Sequence, residues 1–414
     1  MSFSNLGLSV GLASAMARQF ASPTPVQAAA IPPAIAGRDV LVCAQTGSGK
    51  TAAFALAVLQ RWFGQQGPGG RQPQTLILVP TRELAVQVGG VLSNLAREAA
   101  IGVKVSVVFG GVSINPQMMA LRGGTDIVVA TTGRLLDLVE RNAVHLDQIR
   151  CLVLDEADRM LDLGFAEELD RIDALLPRQH QSLLFSATFG PAVRSLAHTR
   201  LQDPQTITVD ADVQAPPDIR QRAIRVDASR RTQLLRHLVT SEAWPRALVF
   251  VATKYAAEMV ADKLRRAGLE AEPFHAQLSQ GKRSQVLADF KASVVQVVVA
   301  TDVAARGVDI AGLPVVVNYD LPRAAPDYVH RIGRTARAGQ TGMAVSFVSA
   351  DTAAHFALIE KRNGLSVVQE EVPGFEPAQV LPAISADRAA GGIKGQRPSK
   401  KDKLRAAGLL QSLR

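Results

Sequence analysis

Short, uninterrupted apolar runs recur along this chain, each followed by a longer stretch in which apolar residues fall at helical spacing. In the first half the runs are Val40–Cys43, Leu76–Val79, Val105–Phe109, Ile127–Ala130, Leu152–Leu154 and Ser182–Phe185. The rhythm restarts at Ala247–Val251, Val294–Thr301, Val315–Asn318 and Met343–Val348. Continuously apolar strands are those buried on both faces, and strands alternating with helices predict parallel α/β sheets. Between the halves lies Asp210-Ala-Asp-Val-Gln-Ala-Pro-Pro-Asp218, whose polar residues and paired prolines predict a linker. The pattern therefore predicts an α/β chain of two parallel-sheet domains, residues 1–208 and 221–372, with a linker at 209–220 and a tail at 373–414. Residues 64–74, rich in Gly, Gln and Pro, read as an exposed loop.

Composition sharpens this picture in three ways. The chain has 414 residues, 47% of them apolar and 20% charged, enough to give each domain a core of its own. No apolar run reaches the roughly 18 residues of a membrane span. The segment Leu6–Ala17 lacks a preceding cation and is interrupted by Ser9 and Ser14, so a cytoplasmic protein without membrane contact is expected. A net charge of +9 points to a polyanionic partner. Much of that charge sits in residues 388–414, where eight Lys and Arg side chains face only Asp402. Leu404, Ala407, Leu410 and Leu413 recur there every third residue, so the basic tail offers either a short helix for RNA or a protein partner, or a solvated segment. Cys43 and Cys151 are expected to be free, buried thiols rather than a disulfide or a metal pair.

Three segments carry chemistry. The run Val40–Cys43 opens into Ala44, Gln45, Thr46, Gly47, Ser48, Gly49, Lys50 and Thr51. Glycines at 47 and 49 let backbone N–H groups curl around phosphate oxygens at a helix N-terminus. Lys50 is placed to reach the β- and γ-phosphates, and Thr51 to hold Mg²⁺. The run Cys151–Leu154 ends in Asp155-Glu-Ala-Asp158, where three acids emerge from a buried strand and require a cation. Asp155 is the candidate Mg²⁺ ligand, Glu156 the group that orients the attacking water, and Asp158 a tie to the surrounding loops. The third segment, His330-Arg-Ile-Gly-Arg-Thr-Ala-Arg337, lies in the other predicted domain. Arg334 and Arg337 share one helical face and suit the charge that spreads over a transferring phosphoryl group.

Taken with Ser186-Ala-Thr188, these segments resemble, in order, the motifs of the DEAD-box RNA helicase family, and the resemblance spans roughly residues 1–350. It implies two tandem RecA-like domains with ATP and Mg²⁺ as cofactors. Pro23-Thr-Pro-Val-Gln27 resembles the adenine-reading segment, so Gln27 would bond the adenine, Phe3 would stack on it, and Phe20 belongs to the same site. Asp309 would bind the ribose. Ser186, Thr188 and His330 would couple nucleotide state to domain closure. Thr81 and Arg82, Gly111, and Gly133 with Arg134 resemble the first domain's RNA-backbone contacts, and Arg283 and Thr301 those of the second. The stretch Val108–Gln117 resembles a bacterial RhlE-type subgroup. Four positions depart from the family pattern: Gln19, Ala276 and Ala336 stand where Gly is usual, and Thr132 where Pro is usual. None removes a charged or metal-binding group.

With only 5% aromatic residues and few near these motifs, the sequence predicts backbone contacts, not base stacking, and hence RNA binding without sequence preference. The activity expected is ATP-dependent separation of short RNA duplexes and remodelling of RNA–protein complexes. A non-catalytic ATP-gated RNA clamp and a DNA helicase are the rival readings.

Overall fold

The computed structural model describes residues 2–45, 47–62, 71–209, 219–305, 312–336 and 341–378. Thr46, Asp309, Arg337, most of the expected linker and the basic tail lie outside the described residues.

Two seven-stranded sheets carry the chain. The first contains β1 (Val40–Cys43), β2 (Thr75–Leu78), β3 (Val105–Val108), β4 (Ile127–Ala130), β5 (Cys151–Leu154), β6 (Gln181–Ser186) and β7 (Gln205–Thr208). The second contains β8 (Ile219–Arg225), β9 (Ala247–Val251), β10 (Ala271–Phe274), β11 (Val297–Thr301), β12 (Val315–Asn318), β13 (Gly342–Val348) and β14 (Gln369–Glu370). All pairings within the two sheets are parallel. The spatial orders are β3-β4-β2-β5-β6-β1-β7 and β10-β11-β9-β12-β13-β8-β14, the same winding used twice. The domains are topological repeats although their sequences are not.

Helices cover both faces of each sheet, and the pleat sorts side chains between them. In β2, Ile77 enters one apolar layer of the first domain while Leu76 and Leu78 enter the other. In β9, Ala247, Val249 and Val251 face one layer of the second domain and Leu248 and Phe250 the opposite one. No described helix is long and apolar enough to cross a membrane. Cys151 is buried and Cys43 partly so.

The strands that the apolar pattern does not predict are those that break its rule. β10 holds Pro273 at an edge, where a missing N–H costs no ladder bond. β8 carries Arg220, Arg222 and Arg225, yet it lies between β13 and β14. Arg222 bonds Glu242 and Glu370, and Arg225 pairs with Glu371 at 3.1 Å, so the cations leave the layer through ion pairs. The expected boundaries shift accordingly. The second domain begins at Ile219, inside the expected linker, and its packing continues past residue 372. Phe375 lies under the Arg230 guanidinium at 5.0 Å, and the Ala378 N–H donates to Asp227 at 2.9 Å.

Asp39, buried just before β1, accepts the N–H groups of Ser182 at 2.8 Å and Gln202 at 2.7 Å, fastening β1 to its neighbours. Asp39→Ala would leave the Ser182 N–H buried and unpaired, at about 1–3 kcal/mol, while the Gln202 N–H lies on an exposed residue and turns to water. Trp62 reports on the first domain and Trp244 on the second, the only two tryptophans of the chain. We expect urea titrations of Trp62 fluorescence, in a Trp244→Phe background, to show the first domain destabilised by roughly 1–3 kcal/mol.

Candidate functional site

A parallel sheet delivers all its carboxyl ends to one edge, where ligands bind. Here each edge divides into two halves. In the first domain β1, β5 and β6 bring together residues 44–51, 155–158 and 186–188, while β2, β3 and β4 bring together 80–83, 109–112 and 131–134.

In the first half-edge Gly47 and Gly49 take φ values of 85° and 92°, which only glycine adopts without strain. Gly49 has a second reason to lack a side chain, since a Cβ would lie 2.5 Å from Gln27 Nε2. Thr24 and Gln27 form a capping box at the start of the helix Pro25–Ile35. The Thr24 hydroxyl also donates to Ser48 O at 2.7 Å, and Gln27 Nε2 to Gly49 O at 3.4 Å. The adenine-reading segment is thus bonded to the phosphate loop. Lys50 is 6% exposed and donates to the carbonyls of Ala44, Gln45 and Ser186. Burial pushes its pKa down, against the nearby Asp155, Glu156 and Asp158 carboxylates.

Asp155 is 2% exposed. Burial and the neighbouring Glu156 push its carboxyl up to about 7, opposed by Lys50. A group in that position is held ionised by a cation. Thr51 and Asp155 offer oxygen ligands, and in the loop before Thr51 the Ser48 Oγ is buried without a hydrogen-bond partner. Such donors fit Mg²⁺. Among the described residues no group of three or more His, Cys, Asp and Glu side chains suffices for a metal. The fit is therefore to an ion that takes its remaining ligands from phosphate and water.

Glu156 sits in the left-handed region at φ 55° and opens the short helix Ala157–Asp162. Its carboxylate pairs with Arg159 Nη1 at 2.6 Å, both side chains nearly buried. Sequence reasoning missed Arg159, although a cation three residues after an acid at a helix start is a legible sign. Asp158 accepts both the N–H and the hydroxyl of Thr188, at 3.1 and 3.0 Å, and Ser186 Oγ donates to Thr188 O at 2.7 Å. The three expected coupling residues of the first domain form one network.

The second domain meets this network. Arg159 lines a cavity of about 20 Å³ with Phe250, Asp302, Ala305, Asp327, His330, Arg331 and Arg334. Burial and then Arg159 push the His330 pKa below its ordinary value, against Asp327 and Asp158. The four basic groups of 330–337 separate into roles. Arg331 is spent within its own domain, in a two-pronged pair with Asp302 at 2.6 and 2.7 Å. Arg334 lines the cleft, and Arg337 lies outside the described residues. Ala336 takes φ 49°, a left-handed conformation that accounts for glycine being usual there.

The other half-edge also meets its counterpart. Thr81 caps the helix Arg82–Glu98, and the Arg82 guanidinium lies where a Cβ on Gly111 would be, 1.8 Å away. Gly133 has open space beside it, and Arg134 Nη2 braces Val112 O at 2.8 Å while its Nε and Nη1 lack hydrogen-bond partners. Thr301 ends β11. The Arg283 side chain is buried, stacks on Phe274 and pairs across the domains with Glu83 at 2.9 Å. Its position suits a tie between domains. The two phenylalanines of the expected adenine site differ in exposure. Phe3 is 3% exposed and enclosed in the core, whereas Phe20 is 52% exposed and presents the ring available to a base.

Residues 24–196 match the family model described as DEAD/DEAH box helicase, and residues 230–339 the helicase conserved C-terminal domain. The chain is 40% identical over 374 residues to the ATP-dependent RNA helicase DeaD of Buchnera aphidicola, covering 90% of this chain and 61% of that protein. It is 38% identical over 377 residues to the DEAD-box ATP-dependent RNA helicase CshA of Bacillus cereus, covering 91% of this chain and 71% of that one. The chain thus spans under two thirds of the first relative's length. Among solved structures it resembles S. cerevisiae Dbp5 bound to RNA and ADP BeF3, with TM-score 0.78 and 31% identity over 89% of this chain and 95% of that one. It also resembles Mss116p bound to ssRNA and AMP-PNP, with TM-score 0.79 and 26% identity over 90% of this chain and 80% of that one.

Gly49→Ala places a methyl group against Gln27 in a backbone conformation that L-residues avoid. The displaced Gln27 and twisted loop are expected to weaken adenine-nucleotide binding by at least about tenfold, or ~1.4 kcal/mol, in a titration with fluorescent ATP.

Proposed function

This chain belongs to the DEAD-box family of ATP-dependent RNA helicases, and from that premise we propose that it hydrolyses ATP in the cytoplasm to separate short RNA duplexes locally and remodel RNA–protein complexes. The observation that carries the reading is the meeting of the domains at two places on one edge. The loop of Asp155, Glu156 and Asp158 meets His330 and Arg334, and Glu83 meets Arg283.

In this reading Gln27 and Phe20 take the adenine, and Asp309 the ribose. The N–H groups of residues 46–50 and the Lys50 ammonium hold the phosphates. Thr51 and Asp155 hold Mg²⁺, which when bound neutralises the phosphates and polarises the transferring phosphoryl group. Glu156 orients the attacking water, and Arg159 keeps that carboxylate aligned until the water competes for it. Arg334 and Arg337 answer the charge on the phosphoryl oxygens, a contribution of about 10³–10⁵ in rate for such arginines. Asp158, Ser186, Thr188 and His330 make this arrangement depend on domain closure. Thr81, Arg82, Gly111, Gly133, Arg134 and Thr301 hold the RNA backbone, while Arg283 fixes the second domain beside them. The basic tail is a further anchor for RNA or for a protein partner.

A magnitude sets the mode of unwinding. Opening four base-pair steps costs about 6 kcal/mol at ~1.4 per step, using DNA stacking as proxy. Swinging a closure from 1:99 to 99:1 takes about 5.5 kcal/mol of differential affinity. One ATP-driven closure matches a few base pairs, and hydrolysis resets the clamp.

The test is steady-state ATP hydrolysis with and without single-stranded RNA. We expect strong stimulation by RNA, and Glu156→Gln to reduce it by about 10²–10⁴-fold while ATP-dependent RNA binding persists. Wild-type protein that binds RNA with ATP yet hydrolyses none would instead be an ATP-gated clamp. Unwinding is further expected to fall steeply as the duplex lengthens past about one helical turn, in a gel assay of annealed RNA strands. Length-independent unwinding would require translocation.

A further inference from the structure

The second strand of each sheet ends in the same kind of turn. After β2 the chain reads Val79-Pro-Thr-Arg-Glu-Leu-Ala85, and from the end of β9 it reads Val251-Ala-Thr-Lys-Tyr-Ala-Ala257. Thr81 and Thr253 are both helix N-caps, with φ −134°, ψ 156° and φ −137°, ψ 155°. Each hydroxyl accepts the N–H three residues on, from Leu84 at 3.3 Å and Ala256 at 3.1 Å. Because the two sheets wind identically, the turns are equivalent in place as well as in form. Lys254 stands where Arg82 stands, and Tyr255 where Glu83 stands.

The neighbours of Tyr255 fasten its helix to the edge on which Thr301 lies. Lys254 Nζ donates to Gln277 Oε1 at 2.6 Å, and Glu258 bonds His275 at 2.7 Å. The two bonds hold the first two turns of the helix Lys254–Arg266 to the segment that follows β10 and leads to Arg283. β9 pairs with β11 so that Val251 lies opposite Thr301. Tyr255 therefore stands beyond the end of β9, beside the turn after β10 and the end of β11. Glu83 points into the domain contact, but the Tyr255 side chain is 74% exposed.

A large ring on a capped, bonded helix turn is a rigid apolar surface with few rotamers to lose on binding. A strand gripped through its sugar–phosphate backbone leaves base faces in need of cover, and every base has one. We infer that Tyr255 is a nucleobase-stacking residue, covering one unpaired base of the bound single strand at the edge of the second domain. The inference rests on the RNA-binding reading above and adds to it a contact that the low aromatic content of the chain argued against.

The test is equilibrium binding of the full chain, with a non-hydrolysable ATP analogue, to a fluorescent single-stranded RNA and to the same strand made abasic. The wild-type protein, Tyr255→Ala and Tyr255→Phe are compared. Loss of one stacked base predicts that Tyr255→Ala binds the intact strand about 5- to 150-fold more weakly. The abasic strand is expected to bind both proteins alike, and Tyr255→Phe to bind the intact strand within about twofold of wild type. Unchanged binding of the intact strand by Tyr255→Ala, or an equal loss on both strands, overturns the stacking role and leaves the RNA-binding reading standing. Wild-type protein that binds neither strand overturns both.

Discussion

Everything in this molecule follows from what a strand buried on both faces cannot carry. Along β1, β5, β9 and β11 every position but the last of β1 and of β11 is enclosed by helices, so charge is excluded along their length and must emerge at the carboxyl ends. Lys50, Asp155, Glu156, Asp158 and Arg159 are all buried there. None would tolerate that burial alone. Lys50 is stabilised by three carboxylates and three carbonyl oxygens, Glu156 by Arg159, and Asp158 by Thr188. The cluster is one electrostatic unit, and removal of any member leaves the others miscompensated.

Much of this was legible in the sequence because the same constraint writes itself there. An apolar run that leads within a few residues into Gly-Ser-Gly-Lys or into three acids has few other physical explanations, and the structure brings both segments to one edge. What escaped reading lay where the constraint relaxes. β8 is polar because its arginines find acids on and just after the neighbouring strand β14 and in Glu242, and β10 includes a proline because an edge spares the N–H. The unequal exposure of Phe3 and Phe20 depends on which ring the helix packing covers, and spacing does not encode that. Arg331 and Arg334 look alike in a basic run, and only Asp302 and Asn318 beneath them separate a structural cation from one facing the cleft.

The duplicated winding has a further effect. In the first sheet β5 of the nucleotide half is directly beside β2 of the other half, and in the second sheet β12 is beside β9. No strand separates the halves, so each domain presents both contact regions on one stiff edge. Two stiff edges that meet in two places close together or not at all, and a ligand at one place biases the other through its preference for the closed pairing. Such coupling needs no relay of small side-chain movements through the core.

The Glu83–Arg283 pair illustrates what such a contact does to measurement. With side chains only 9% and 5% exposed, it lies where mobile ions do not reach. Dissolved salt weakens attraction between a polymer's phosphates and open cations, but hardly touches an ion pair from which water is already excluded. Ionic strength thus acts on the grip and spares the hinge. A salt series separates the two energies within one intact protein, without a single substitution.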